Sequence, residues 1–417
     1  MRLACIAVLL LVLPSPVAAQ QKVVQRVPGD GPPSRLRFEL PAGAEEVSIP
    51  FRSVNNHILL PLTVNGEGPF QVILDTGMPI EELLLHGDER VESLHLPYLE
   101  NVQVMVAGAG GTGEATPART ADGITLAIGS LKILDARTTV LPKPPGFGAY
   151  HDGVIGAALF RHFAVGIDND RGILTLRRPE AYRPPDGAAV VPLTLDQGRP
   201  FIEARVRIGE GDPVPVDLVV DLGASHAVSL NESKERGIAA PGRSITTEIG
   251  RGMSGVVSGR VGRIRSLEIG GLALDHVIAT FPDDAHHSPR GMDSRDGNLG
   301  NGALGRFHVT FDYAGRRMVL EPSRRFSEPF EWDMSGMQAE PTGEGAVRVR
   351  GVLAGSPAAE AGVRENDRIV RIAGEEVTEA TYFPLRDRLR KEGETVVLDL
   401  RRGGKPVKVS LKLRRLV

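Results

Sequence analysis

Short apolar runs recur along the chain, either alternating with polar residues or standing four to six together, and each is bounded by glycine, proline, asparagine or aspartate. FQVILDTG, ITLAIGSLKILDARTTVL, DLVVDLG and SLEIGGLALDHVIATF are examples. This period-two pattern with turn residues at its ends predicts strands joined by tight turns. A helical period is confined to short stretches such as YFPLRDRLRKEG, closing at Gly393. Composition agrees: 49 glycines and 31 prolines stand against 5% aromatic residues, so the fold class expected is mainly β. The 417 residues suggest two to four domains, at about 100–200 residues each. A hydrophobic content of 41% rules out whole-chain disorder, and a formal net charge of −3 leaves no overall basic field for nucleic acid.

Three blocks occur twice in the same order. VNGEGPFQVILDTG, ending at Gly77, matches IGEGDPVPVDLVVDLG, ending at Gly223. Leu126–Leu141 matches Leu267–Phe281, and the block from Asp152 matches the block from Asp296. A nearly constant offset implies two lobes of one β fold, at residues 20–180 and 193–325. The Pro-rich segment Ala181 to Pro192 reads as their linker. Ahead of them, MRLACIAVLLLVLPSPVAAQ has a positive residue, an apolar run and small residues, the pattern of a secretory signal peptide over 1–19 cleaved near Ala19. Its apolar run is too short to span a bilayer, and no later run reaches the length of about 20 residues a helix needs; no stable membrane insertion is expected. Cys5, the only cysteine, lies inside this segment, so the exported chain has neither disulfides nor thiolate chemistry to draw on.

From about Met334 the pattern changes. AVRVRGVL precedes GSPAAEAGV, where Ser356 can cap a helix, Pro357 takes its first position and Gly362 ends it. Two hairpins, DRIVRIAGEEV and TVVLDLRRGGKPVKVSLKL, flank the amphipathic helix. The order resembles a PDZ domain of the bacterial protease-associated kind over 334–417. Such a domain binds an extended peptide at a sheet edge and holds its C-terminal carboxylate in a loop of N–H groups. Position before the first strand makes Ser335, Gly336, Met337 and Gln338 that loop.

In Val72-Ile73-Leu74-Asp75-Thr76-Gly77 an apolar strand delivers an aspartate onto a tight turn, and Leu218-Val219-Val220-Asp221-Leu222-Gly223-Ala224-Ser225 repeats the arrangement. The lobes resemble retropepsin-like aspartic peptidases in a two-lobed form, implying two pseudo-symmetric β-barrel lobes followed by a small α+β PDZ domain. Val154-Ile155-Gly156 fits the family's late hydrophobic-hydrophobic-Gly element, and Asn298-Leu299-Gly300 fits it loosely. The resemblance makes Asp75 and Asp221 the catalytic pair, supported by Thr76, Gly77, Gly223 and Ser225, with Ser225 able to hydrogen-bond the nearby carboxylate. Two carboxylates are needed because one ionised aspartate can deprotonate water but cannot also protonate the peptide carbonyl; placed together they share the labour. No metal and no other cofactor is required. Gly108, Gly110, Gly111 and Gly113 form the expected first-lobe flap, with Gly250 to Gly259 as the second-lobe counterpart.

Leu222 stands where the family carries Thr or Ser, whose hydroxyl interlocks the lobes, and Met78-Pro79 replaces the usual small pair. Other chemistries lack their frames. The GxGxxG match at 108–113 is followed by a Pro-containing segment without helical period, His286-His287 has no HExxH partner, and Ser225-His226 are chain neighbours with no nucleophile elbow. Basic residues near the C-terminus alternate with Val407, Val409, Leu411 and Leu413, as a half-buried strand does. Two functions stand: an exported, periplasmic or secreted, aspartic endopeptidase acting on protein or peptide substrates, its PDZ domain recruiting C-terminal peptides, or a catalytically degenerate peptide-binding adaptor.

Overall fold

The computed structural model describes residues 22–23, 35–99, 102–106, 116–143, 150–252, 255–283 and 295–417. In the first lobe the strand Glu67–Leu74 lies between His57–Val64, antiparallel, and Gly153–Ile155, parallel, with Leu74 opposite Ile155. In the second, Val214–Asp221 lies between Arg199–Arg207, antiparallel, and Gly297–Gly300, parallel, with Asp221 opposite Gly300. Both central strands are apolar on both faces near their ends because both faces are covered. Val72, Leu74, Leu218 and Val220 are fully buried. The repeat read from the sequence is thus a repeat of sheet topology, and each aspartate sits where its strand leaves the sheet.

The closing strands behave differently from a pair of self-contained barrels. Ala164–Asp168 and Phe307–Asp312 leave their lobes and pair with each other antiparallel, Gly166 opposite Thr310, at the centre of a six-stranded sheet shared by the two halves. Pairing equivalent strands antiparallel places a local twofold between them, and that symmetry makes the aspartate turns converge. The segment expected to be a plain linker also contributes: Ala189–Pro192 is an outer strand of this sheet, paired with Arg317–Pro322. One continuous apolar core runs through both lobes and the shared sheet.

A second core belongs to the C-terminal domain. Its sheet runs Met337–Pro341, Val347–Val352, Arg368–Ile372, Thr395–Arg402 and Lys405–Lys412, leaving Met337–Pro341 at an edge. Ser356 caps Pro357–Glu360 by accepting Ala359 N–H, and Gly403 and Gly404 turn the last hairpin at φ 54° and 81°. Glycine adopts left-handed positions at the least cost. Thr378 and Thr381 form a reciprocal capping box on the helix Glu379–Arg386. Among the described residues no helix is long and apolar enough to cross a membrane.

Candidate active site

Asp75 is placed by two backbone contacts: its N–H donates to Ile155 O at 2.9 Å, and Gly77 N–H donates to its Oδ1 at 2.6 Å. Asp221 is held alike, with Gly223 N–H on its Oδ1 at 2.8 Å. The two carboxyl groups face each other across the lobe junction, on either side of Gly77: a Cβ there would meet Asp221 Oδ1 and Asp75 Oδ1 alike. Why glycine follows is visible in the crowding. A Cβ at Gly77 would lie 2.9 Å from Asp221 Oδ1, and one at Gly223 only 2.5 Å from Asp75 Cγ. Each turn is roofed by the other lobe's carboxylate. Behind them, a Cβ at Gly156 would meet Asp75 O at 2.3 Å, and one at Gly300 would meet His226 O at 2.3 Å. The hydrophobic-hydrophobic-Gly elements, including the loose one, therefore pack against the turns.

The two aspartates are partly buried, and the Asp75 carboxyl is pushed well above the usual aspartate range. Burial is the largest cause, followed by the Asp221 charge and the hydrogen bond between the two; the Gly77 and Gly223 N–H groups pull the other way. A protonated carboxyl beside an ionised one is the arrangement acid and base catalysis requires.

The interlock between the lobes is made from one side. Thr76 Oγ1 donates to Val220 O at 2.7 Å and accepts Leu222 N–H at 2.9 Å, and Thr76 is 1% exposed. Leu222 is itself fully buried in the core, and its carbonyl accepts Asn301 Nδ2 at 3.2 Å. The hydroxyl missing at 222 is thus replaced by an apolar contact.

Ser225 supports the site otherwise than expected. Its backbone carbonyl accepts Asn56 Nδ2 at 2.7 Å, whereas the outer oxygen of Asp221 is met by Asn298 Nδ2 at 2.7 Å. Strand register accounts for the exchange: Asn298 lies opposite Val219 on the strand beside Asp221 and reaches across. Behind it, His226 Nε2 lies 3.0 Å from Asn298 Oδ1.

Three more residues escaped sequence reasoning. Asn55 and Asn56 form a two-residue turn at φ 52° and 65°, joining Val54 to His57. Its tip touches the second lobe's aspartate turn. His57 Nε2 lies 3.0 Å from Gly223 O and so carries the hydrogen, leaving Nδ1 to accept from Tyr150 Oη at 2.6 Å. Burial lowers His57 to about 4, so it is the neutral ring that bridges the lobes. The Asn-Asn pair between apolar runs is a visible hairpin signal, but nothing in it says that the hairpin reaches another lobe.

The glycines at 108, 110, 111 and 113 lie outside the described residues. The second-lobe counterpart is a hairpin of Ser244–Gly252 and Gly255–Arg263, and the C-terminal domain rests on it. Gln338 Nε2 donates to Thr247 Oγ1, Arg350 pairs with Glu248, and Arg251 pairs with Glu340 at 2.6 Å. On the other side Phe383 packs on Tyr150 with ring centroids 4.8 Å apart, and Arg386 donates to Asn55 Oδ1 at 2.7 Å. The domain therefore straddles both lobes, one residue from the His57 bridge.

The loop from Ser335 to Gln338 is closed on itself. Asp333 Oδ1 accepts from Ser335 N–H at 2.8 Å and from its hydroxyl, Met337 N–H donates to Ser335 Oγ at 3.1 Å, and a Cβ at Gly336 would meet Ser356 Cβ at 2.2 Å. Two of the donors assigned to a ligand carboxylate are thus engaged within the domain. Tyr382 also donates its hydroxyl to Ala339 O at 3.2 Å on the edge strand. Phe383→Ala should loosen the straddle, since an aromatic pair contributes about 0.5–1.5 kcal/mol beyond its buried area. Hydrogen exchange should rise over Glu379–Arg386 and the Ser244–Gly252 hairpin while the central strands of the C-terminal domain's sheet stay protected. Unchanged exchange at both places would show that the ion pairs alone hold the domain.

Residues 60–159 and 204–305 match the family described as aspartyl protease, and residues 348–402 match the PDZ domain. Among solved structures, an aspartic proteinase from Irpex lacteus aligns at 16% identity, over 67% of this chain and 98% of its own, with a TM-score of 0.44. No curated protein matches the chain.

Proposed function

Because its two lobes belong to the aspartyl protease family and its C-terminal domain to the PDZ family, we propose that the chain is an exported aspartic endopeptidase. In this reading Asp75 and Asp221 are the catalytic residues. The observation that carries it is the meeting of these two carboxyl groups at the lobe junction, each against the other lobe's aspartate turn. One carboxylate takes a proton from a water molecule as the water oxygen attacks the peptide carbonyl carbon, and the protonated partner delivers its proton to the carbonyl oxygen. Transfer of a proton to the nitrogen of the resulting diol then lets the C–N bond break, giving a carboxylic acid and an amine and returning the shared proton to the pair. Thr76, Gly77 and Gly223 keep the carboxyls at this distance. The signal-like first residues support export to the periplasm or beyond. The PDZ domain recruits peptide or protein partners. Its edge strand Met337–Pro341 supports strand addition, provided that Tyr382 releases Ala339 O.

The test uses the purified full chain on unfolded proteins and on peptide pairs with free or amidated C-termini. New termini, identified by mass spectrometry, are expected at acid to neutral pH, with the free-terminus peptide cleaved more efficiently. Binding without any cleavage across that range would favour the adaptor, which the Leu222 replacement at the interlock independently motivates. Equal handling of the two peptides would sink the carboxylate-recruitment role.

A further inference from the structure

The two halves of the site differ most just behind the aspartates. Strand register makes Val154 of the first lobe equivalent to Asn298 of the second: Val154 lies opposite Ile73, Asn298 opposite Val219, each two residues before its aspartate. Five residues after each aspartate stand Ile80 and His226. Val154 and Ile80 pack in a small apolar cluster with Met78, Leu84 and Leu141. Asn298 and His226 instead hydrogen-bond each other, and Asn298 turns its amide nitrogen onto Asp221 Oδ2 at 2.7 Å. Asp221 thus accepts Gly223 N–H on one oxygen and a side-chain amide on the other, while Asp75, which has backbone N–H groups from Gly77 and Gly223, meets apolar side chains at the places of Asn298 and His226.

Resting on the peptidase reading, we infer that Asn298 and His226 are positioning residues that make the aspartates unequal, keeping Asp221 as the ionised base and leaving the shared proton on Asp75. A donor at hydrogen-bond distance favours a carboxylate over a carboxylic acid. The orientation of the amide is set by its neighbour. The His226 ring nitrogen facing Asn298 Oδ1 must carry hydrogen, so Oδ1 is occupied and Nδ2 is left for Asp221. The backbone that carries His226 is fixed, because its carbonyl accepts Gly302 N–H at 2.9 Å and the adjoining Ala227 carbonyl accepts Gly300 N–H at 3.0 Å. The titratable groups that face the pair are His57 from the first lobe, which feels the Asp221 charge, His226 itself, and Tyr313, which feels both Asp75 and Arg161. His57 and His226 are both pushed below the ordinary histidine value by burial. The raised Asp75 carboxyl agrees with the assignment.

Stability reads the asymmetry without any substrate. Below the usual aspartate range Asp75 is protonated in both the folded and unfolded chain, and its contribution is fully present. As pH rises the unfolded chain ionises first, so stability is lost until the raised folded-state value is passed. Asp75→Asn, a neutral side chain of the same shape, removes that loss. Asp221→Asn instead sets an amide NH2 or a weaker acceptor against Gly223 N–H and Asn298 Nδ2. At neutral pH the full chain with Asp75→Asn should melt at or above wild type, and Asp221→Asn at least about 3 °C below it. Asn298→Val, which copies the first lobe, should narrow this gap in the double variants. It should also move the acid limb of the kcat/KM profile up by about one pH unit and cut kcat about tenfold, with KM nearly unchanged. His226→Gln, which keeps a donor toward Oδ1, should stay close to wild type, whereas His226→Leu should shift the limb in the same direction as Asn298→Val.

Equal or reversed melting of the two aspartate variants would overturn the inference, as would an acid limb unmoved by Asn298→Val. Should Asn298→Val fail to fold, the order of the single aspartate variants still decides. A wild-type chain that cleaves nothing would end the peptidase reading, and the melting order would remain the measure of this one.

Discussion

Asp75→Asn and Asp221→Asn should each abolish peptide cleavage while leaving a folded chain. Either replacement removes one half of a couple in which the base needs an acid beside it, and such proton transfers are worth about 10²–10⁴ in rate. The two losses should not add. A double variant should fall no further than the weaker single one, since removing one member already disables the unit. The profile of kcat/KM against pH should be bell-shaped. Its acid limb reports ionisation of the base, and its alkaline limb reports loss of the shared proton, whose Asp75 site burial and the neighbouring charge push up. The limbs belong to the pair as a whole. Full activity in either single variant would remove Asp75 and Asp221 from the chemistry and leave their convergence without a role.

Both aspartates, their glycines and the strands that carry them were legible because they are local patterns occurring twice. An apolar run fully covered on both faces, ending in Asp-x-Gly, is written within eight residues. What the sequence hid depends on the twofold docking of the lobes. His57 and Asn56 are polar residues in an ordinary hairpin, and only the packing of one lobe on the other gives them Gly223 O and Ser225 O as partners, whereas Asn298 meets Asp221 inside the second lobe through the register of two neighbouring strands. Asn298 did leave a trace, as a polar residue where its repeat partner Val154 is apolar. The exchange of closing strands into a shared sheet was hidden for the same reason, since Ala164–Asp168 and Phe307–Asp312 would look alike in separate barrels. In the PDZ domain, helix caps and hairpins followed from nearest-neighbour chemistry. The closed Ser335 loop did not, because its closure depends on Asp333, two residues outside the pattern.

Thr76→Val should strongly destabilise the junction. Valine keeps the shape of the side chain but strands two buried backbone groups, the Val220 carbonyl at 2.7 Å and the Leu222 N–H at 2.9 Å. An unsatisfied buried group costs about 1–3 kcal/mol, so the two together should cost about 2–6 kcal/mol. Those two groups flank Asp221 on either side, so the loss should reach the rate as well, by about tenfold or more for a misplacement of under an ångström. Leu222→Thr tests the opposite half. It removes apolar volume from a fully buried position and supplies a hydroxyl where the local twofold puts the equivalent of Thr76. Its cost should be smaller, about 1–2 kcal/mol for the shortened side chain less what the new hydrogen bonds return, with activity preserved or raised. Chemical denaturation alongside kcat/KM for both variants separates the cases. If Thr76→Val is as stable and active as wild type, the hydroxyl does not hold the lobes in register; if Leu222→Thr is folded but inactive, the apolar contact at 222 has taken over the task of a second hydroxyl.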